Sequence, residues 1–178
     1  MSMTMGEMAS RHHTSGKDAT GLGRWVWQLF KGKNNITTRI YTAYRPCKTH
    51  PKQLKTVYNL QRAYFRDKGI DRCPRELFLE DLEKELQGRK MAGERLLVMM
   101  DANDDVSTGA IRCLAEAVGL RDAILNHHPD LPPPATHQDG SKTIDVILAS
   151  PELQVLQVAF LAGDKSPGHH RWDLINIK

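Results

Sequence analysis

Five short segments carry side chains suited to chemistry on a phosphate. Asp101-Ala102-Asn103 directly follows the apolar run Leu96 to Met100, so a strand buried on both faces would end in an acid and an amide. Asp104 and Asp105 bring this to four oxygen-rich side chains within five positions. Ile144 to Leu148 places Asp145 inside an otherwise apolar strand, where a carboxylate is costly to bury unless it is paired, and a histidine is the partner that would give it a catalytic role. Gly168-His169-His170-Arg171 sets histidines and an arginine at the mouth of a later strand, where they can hold a phosphate or shuttle a proton. Paired with Asp145, His170 would have its tautomer fixed. Ala135-Thr136-His137 precedes the Asp145 strand, and Tyr41 to Pro46 reads as a strand ending in Tyr44 and Arg45, both able to hydrogen-bond a phosphate.

Each segment has a structural explanation as well. The Asp101 cluster can be an Asx-rich turn capping the next helix, Asp145 a solvent-facing strand residue, the histidines a surface pair, and Tyr44 an exposed hairpin end. A calcium loop is excluded, because Ala102 interrupts the required Asp spacing and no suitably placed Gly and terminal Glu follow. Eight histidines include no H-E-x-x-H, so a zinc hydrolase has no support.

The elements that must position these groups follow from periodicity. Residues 1–22 have no pattern and read as a loose start, disordered in part over 1–20. Arg24 to Phe30 alternates, Gly32 to Asn35 is a turn and Ile36 to Tyr44 is a second strand, together a hairpin. Leu54 to Lys68 reads helical, with Leu54, Val57, Tyr58, Leu60, Ala63, Tyr64 and Phe65 toward one face. A second helix opens at Cys73-Pro74, buries Phe78, Leu79, Leu82 and Leu86, and stops at Gly88. Arg95 to Met100 is a buried strand, and Ser107 caps a helix over Thr108 to Val118. Asp130 to Ala135 is a loop, and Thr143–Ala149, Val155–Leu161 and Trp172–Ile177 are strands. The order predicts α+β, or α/β with mixed sheets.

Composition narrows the class. The chain has 178 residues, enough for one domain with a core. It has no apolar stretch long enough for a membrane span and no basic-then-apolar leader. Its three widely spaced cysteines read as free thiols of an intracellular protein, in cytoplasm or nucleus. The net charge of +4 hides an asymmetry: residues 1–72 carry 14 Lys and Arg against 4 Asp and Glu, and residues 73–178 carry 11 against 17. The basic part suits a polyanion such as nucleic acid; alternatively, the two parts neutralise each other across the fold.

In order, T-A-Y-R-P, L-L-V-M-M-D-A-N, A-T-H, T-I-D-V-I-L-A-S and G-H-H-R resemble the endonuclease/exonuclease/phosphatase superfamily over residues 18–178. The flavour of Gly21 to Trp25 and of Tyr44 to Cys47 is that of the retroelement-type endonuclease branch. The resemblance implies a partial DNase I-like sandwich of mixed sheets flanked by helices over 21–178. It implies a phosphodiester hydrolase that uses Mg²⁺ or Mn²⁺ and acts on nucleic acid, DNA above all. Asp101 matches the acid that orients or deprotonates water, Asn103 the amide on the phosphate, Asp145 the acid that orients the terminal histidine, His170 that histidine, and Tyr44 a phosphate-side tyrosine. Arg45, Thr136, His137 and Arg171 are then substrate-facing, and His169 stands with Asp101 at the metal.

There are departures from the family pattern. Its early Asn and metal-binding Glu have no counterpart, since Glu7 lies in no strand context; His169 replaces an Asp, and Met100 replaces a Gly. The match therefore reads as N-terminally truncated, with weak metal binding and an apolar face left for a partner to cover. The competing function is an inactive remnant with weak nucleic-acid affinity.

Overall fold

The computed structural model describes residues 7–106, 109–132, 134–160, 169–170 and 173–177. A short helix α1 (Glu7–Ser10) precedes strand β1 (His12–Lys17), then β2 (Trp25–Lys31), β3 (Thr37–Tyr44), helices α2 (Val57–Asp67) and α3 (Pro74–Met91), and β4 (Arg95–Asp101). Helix α4 (Ala110–Val118), β5 (Arg121–Asp122), α5 (Ala123–His127), β6 (Asp145–Ala149), β7 (Val155–Phe160) and β8 (Asp173–Ile177) follow. Six strands form one mixed sheet in the order β1-β2-β3-β4-β6-β5, and β7 and β8 pair in a second. Among the described residues no helix is long and apolar enough to cross a membrane.

The β2–β3 hairpin forms where the sequence places it, and its turn uses Asn34 and Asn35 at φ 57° and 59°, a left-handed backbone that asparagine tolerates. The α2–α3 connection then returns the chain so that β4 runs parallel to β3, the one parallel pair of the sheet. Between Arg95 and Asp101, strand β4 is apolar because both its faces are covered. Leu96, Val98 and Met100 meet Phe78, Leu82, Leu86, Ile111 and Leu114 from the helices. Leu97 and Met99 face Ile147, Val158 and Ile175, toward the second sheet.

Three expectations are corrected. The segment before Gly21 is not loose over its length: His12 to Lys17 pair antiparallel with β2. Nearly all of these residues are exposed, so an edge strand leaves little apolar alternation in the sequence. Gly16 crosses so close to the Trp27 ring that a Cβ there would lie 2.4 Å from it. The helix after β3 begins at Val57, capped by Thr56, and buries Tyr58, Asn59, Gln61 and Phe65, while Leu54, Val57 and Leu60 face out. The helix after β4 starts at Ala110 behind Gly109; Ser107 and Thr108, expected as its cap and first residue, lie outside the described residues, as do Leu161 and Trp172.

The two oppositely charged parts of the chain do pair. Arg39 joins Glu94 at 2.5 and 2.8 Å with its guanidinium stacked 3.9 Å from the Trp27 ring, and Arg45 joins Asp104. Arg24, 1 % exposed, binds both oxygens of Asp18 at 2.7 and 3.0 Å and Asp81 of α3 at 2.8 Å. Burial pushes the Asp18 carboxyl up, but the bonds from Arg24 and Thr20 more than offset this and hold it below the usual range. Asp18→Ala is therefore expected to cost about 3 kcal/mol at neutral pH, because it leaves the buried guanidinium only the partly exposed Asp81, and Asp81→Ala about 1 kcal/mol or less. The Asp18 contribution is present above the usual carboxylate pKa and fades as pH falls through the lowered folded value. Urea unfolding of both variants across pH measures each effect.

Candidate active site

Three neighbouring strands end in one row. Register sets Tyr44 of β3 opposite Asp101 of β4, and Asp101 opposite Asp145 of β6. Side chains alternate along a strand, so Asp101 and Asp145 share the face of Leu97, Met99 and Ile147, at the end of the apolar layer these residues form with the second sheet. The sequence explains each position: apolar runs hold β4 and β6 in the core, and the first acid lies where each strand reaches solvent.

Local hydrogen bonds shape the ends. Asn103, at φ 47°, folds back so that its N–H donates to Asp101 Oδ1 at 3.1 Å. Its Nδ2 donates to the Arg45 carbonyl at 2.8 Å, and the Cys47 thiol donates to its Oδ1. The N–H groups of Ile144 and Asp145 both donate to Thr136 Oγ1, at 2.9 and 3.1 Å, which fixes the start of β6. The backbone of His137 bridges that of His170. The His170 ring then meets Asp145, with Nδ1 2.9 Å from Oδ2, and sets Nε2 3.9 Å from Asp101 Oδ2. Nδ1, on the Asp145 carboxylate, then carries the proton, and Nε2 is the nitrogen that faces Asp101. The His137 ring stands edge-on to His170 at 5.0 Å.

Ligand atoms of Asp101, Asp145 and His170 lie within 4.8 Å of one another, a group able to hold a metal ion. Burial, and then the Asp145 carboxylate, push the Asp101 carboxyl above its usual range, against the pull of the Asn103 N–H, His170 and His137. The Tyr44 phenol is also raised, by burial and then by Cys47 and Asp101, and a hydrogen bond from the Asn103 side chain opposes this.

The structure thus brings together Asp101, Asn103, Asp145, His170 and Tyr44, with His137 beside them. Other expected site residues are placed differently. Arg45 is buried, with its guanidinium on Asp104 and the Arg75 carbonyl, so it braces the loop rather than facing a substrate. Thr136 is fully buried and positions Asp145. His169 does not join the Asp101 group: neighbours in an extended segment point to opposite sides, and with His170 turned inward, His169 stacks on His137 and meets Gln138. Arg171 lies outside the described residues. The four oxygen-rich side chains do not act together, since Asp104 turns to Arg45 and Arg75.

Two residues went unrecognised in the sequence. Cys47 is a lone thiol with no motif. Arg75 donates to the Pro46 carbonyl, the Asn103 carbonyl and Asp104, tying both site loops to α3. A helix-start arginine carries no sequence signal for that role.

The sequence matches no protein-family model and no curated protein. Solved structures do match. The human Nocturnin catalytic domain with bound sulfate superposes at TM-score 0.61 and 17 % identity over 94 % of this chain and 60 % of that one. The Xenopus laevis APE2 catalytic domain gives 0.58 and 15 %, over 88 % and 55 %. A functionally unknown conserved protein from Enterococcus faecalis V583 gives 0.51 and 19 %, over 86 % and 55 %. The chain thus spans between 55 and 60 % of the length of these neighbours. Identities this low speak to fold alone, and the fold shared is a mixed α/β, DNase I-like one.

Proposed function

We propose that this chain is a divalent-metal-dependent phosphodiester hydrolase that cuts DNA. The observation that carries the reading is the His170–Asp145 pair set against Asp101 in the row with Tyr44. A phosphodiester needs a group to orient or deprotonate water, a proton donor or acceptor near the leaving oxygen, and donors for the non-bridging oxygens. Asp101, oriented by the Asn103 N–H, suits the first. His170 suits the second, because Asp145 meets Nδ1 and the other ring nitrogen, Nε2, can take up and release a proton beside Asp101. Tyr44, whose phenol the Asn103 side chain holds, suits the third. The APE2 catalytic domain shares the fold, and the Tyr44-Arg45-Pro46-Cys47 segment supports the retroelement-type branch.

The Asp101 and Asp145 carboxylates could also hold a hard dication, while the softer His170 imidazole keeps the proton-transfer role. Two carboxylates and one imidazole converge, and the strained ionisation of Asp101 is what a cation would relieve. Bound there, Mg²⁺ or Mn²⁺ would neutralise charge on the phosphate. The group offers only two carboxylates, and that observation supports a second reading, a chain that binds nucleic acid without turnover.

Supercoiled plasmid incubated with Mg²⁺, Mn²⁺ or EDTA separates the two. Metal-dependent nicking is expected, with Asp101→Ala and His170→Ala each reducing it about 10²–10⁴-fold. Nicking that survives both changes overturns the assignment, and a folded chain that binds DNA but never nicks it selects the second reading.

Stability gives an independent readout. The raised Asp101 favours the protonated form in the fold, so its contribution is complete below the usual carboxylate pKa and is lost as pH rises through the folded value. Asp101→Asn should thus raise the metal-free thermal midpoint at pH ~7, and the gain should vanish below about pH 4. Mg²⁺ at ten times its Kd should stabilise the wild type by about 1.4 kcal/mol and the variant by far less. A variant melting below the wild type at neutral pH would contradict this.

A further inference from the structure

The segment from Lys48 to Leu60 carries features that neither the core nor the candidate site uses. Leu54 is 74 % exposed, and Val57 and Leu60, one and two short steps further along the same apolar spacing, are exposed as well. This stripe has the periodicity of a core-facing helix surface, yet α2 buries its other side. Lys48, Lys52 and Lys55 flank it, all exposed, and among the described residues no carboxylate makes an ion pair with them. From Ala19 to Arg66 the chain has ten Lys and Arg and no acid at all. Arg24, Arg39 and Arg45 of that stretch are neutralised by partners from the acidic part, but the three lysines are not.

The loop is held in place. Asn59, itself buried, has Nδ2 at 3.3 Å from Thr49 Oγ1, 2.9 Å from the His50 carbonyl and 3.1 Å from the Gln53 carbonyl. The Thr49 and Thr56 hydroxyls bond each other at 2.7 Å, and Thr56 caps α2. An apolar side chain at the tip of a fixed, cation-flanked loop can be buried by a partner without first ordering the backbone. The loop also leaves directly from the candidate site, since Cys47 contacts Asn103. The seven residue-to-residue steps from Cys47 to Leu54 span at most about 25 Å, less than the ~34 Å turn of a DNA duplex.

We propose that the Lys48–Leu60 segment is a docking element for duplex DNA. Lys48, Lys52 and Lys55 neutralise backbone phosphates, and Leu54, backed by Val57 and Leu60, enters the minor groove as an apolar wedge. The inference rests on the phosphodiesterase reading for where the duplex lies. Charge complementarity and continuity with the phosphate site favour nucleic acid over the other surface such a patch fits, an anionic membrane.

The test measures binding of the full chain to a short fluorescein-labelled duplex by anisotropy in EDTA, between about 50 and 200 mM salt. Lys52→Ala with Lys55→Ala should lower the slope of log affinity against log salt by about 1.8. Leu54→Ala should weaken binding about tenfold and leave the slope unchanged. All three positions are exposed, so circular dichroism and the thermal midpoint should match the wild type. Wild-type affinity and slope in both variants, or no duplex binding by the wild type, overturns the proposal. So does binding to phosphatidylserine vesicles that Leu54→Ala abolishes while duplex binding is unaffected. Variant-sensitive duplex binding without metal-dependent nicking leaves the docking element standing and removes the phosphodiesterase reading; nicking with variant-insensitive binding does the reverse.

Discussion

Two carboxylates that repel each other stand directly opposite across the β4–β6 ladder, and the rest of the site depends on holding them there. Cross-strand like charges weaken a sheet. Here Asp101 and Asp145 are kept in register by the apolar pairs behind them, Met99 with Ile147 and Leu97 with Ala149. The core supplies what the acids cost, and the result is a sheet edge with concentrated negative charge and an imidazole pinned to one acid. A site that stores unfavourable charge in this way suits a cation or a transferable proton.

The bracing of this row comes from a distance. Arg75, on the first turn of α3, reaches the loop after β3 and the loop after β4, and Arg45 shares Asp104 with it. Thr136 does the same for β6 with one hydroxyl and two backbone N–H groups. Charge pairing between the basic and acidic parts of the chain serves the same end: Arg24 ties the β1–β2 edge to α3, and Arg39 ties β3 to the residue just before β4.

Much of the arrangement was legible in the sequence. The β2–β3 hairpin, both helices of the crossover, β4 and β6 announce themselves through alternation, helical spacing or continuous apolar runs, because each buries a face whose pattern records it. The edge strand β1 does not, since its partners are backbone groups and one close-packed glycine. Helix α2 misleads: an apolar stripe normally marks the buried face, but Leu54, Val57 and Leu60 point to solvent while Asn59 and Gln61 are buried. Spacing reports that a helix is amphipathic, not which side the rest of the chain covers.

The sequence by itself determined the residue types at the strand ends: an acid and an amide after β4, an acid opening β6, and a histidine before the last strand. Those follow from local order along the chain. Only the tertiary structure decided which of them meet. Parallel pairing of β3 with β4 and antiparallel pairing of β4 with β6 put Tyr44, Asp101 and Asp145 in one row, and the His137–His170 bridge turned His170 in and His169 out. Register and strand direction are relations between segments far apart in sequence, so no local pattern encodes them, and Arg45, Thr136 and Arg75 took up their positioning roles only once those relations were set.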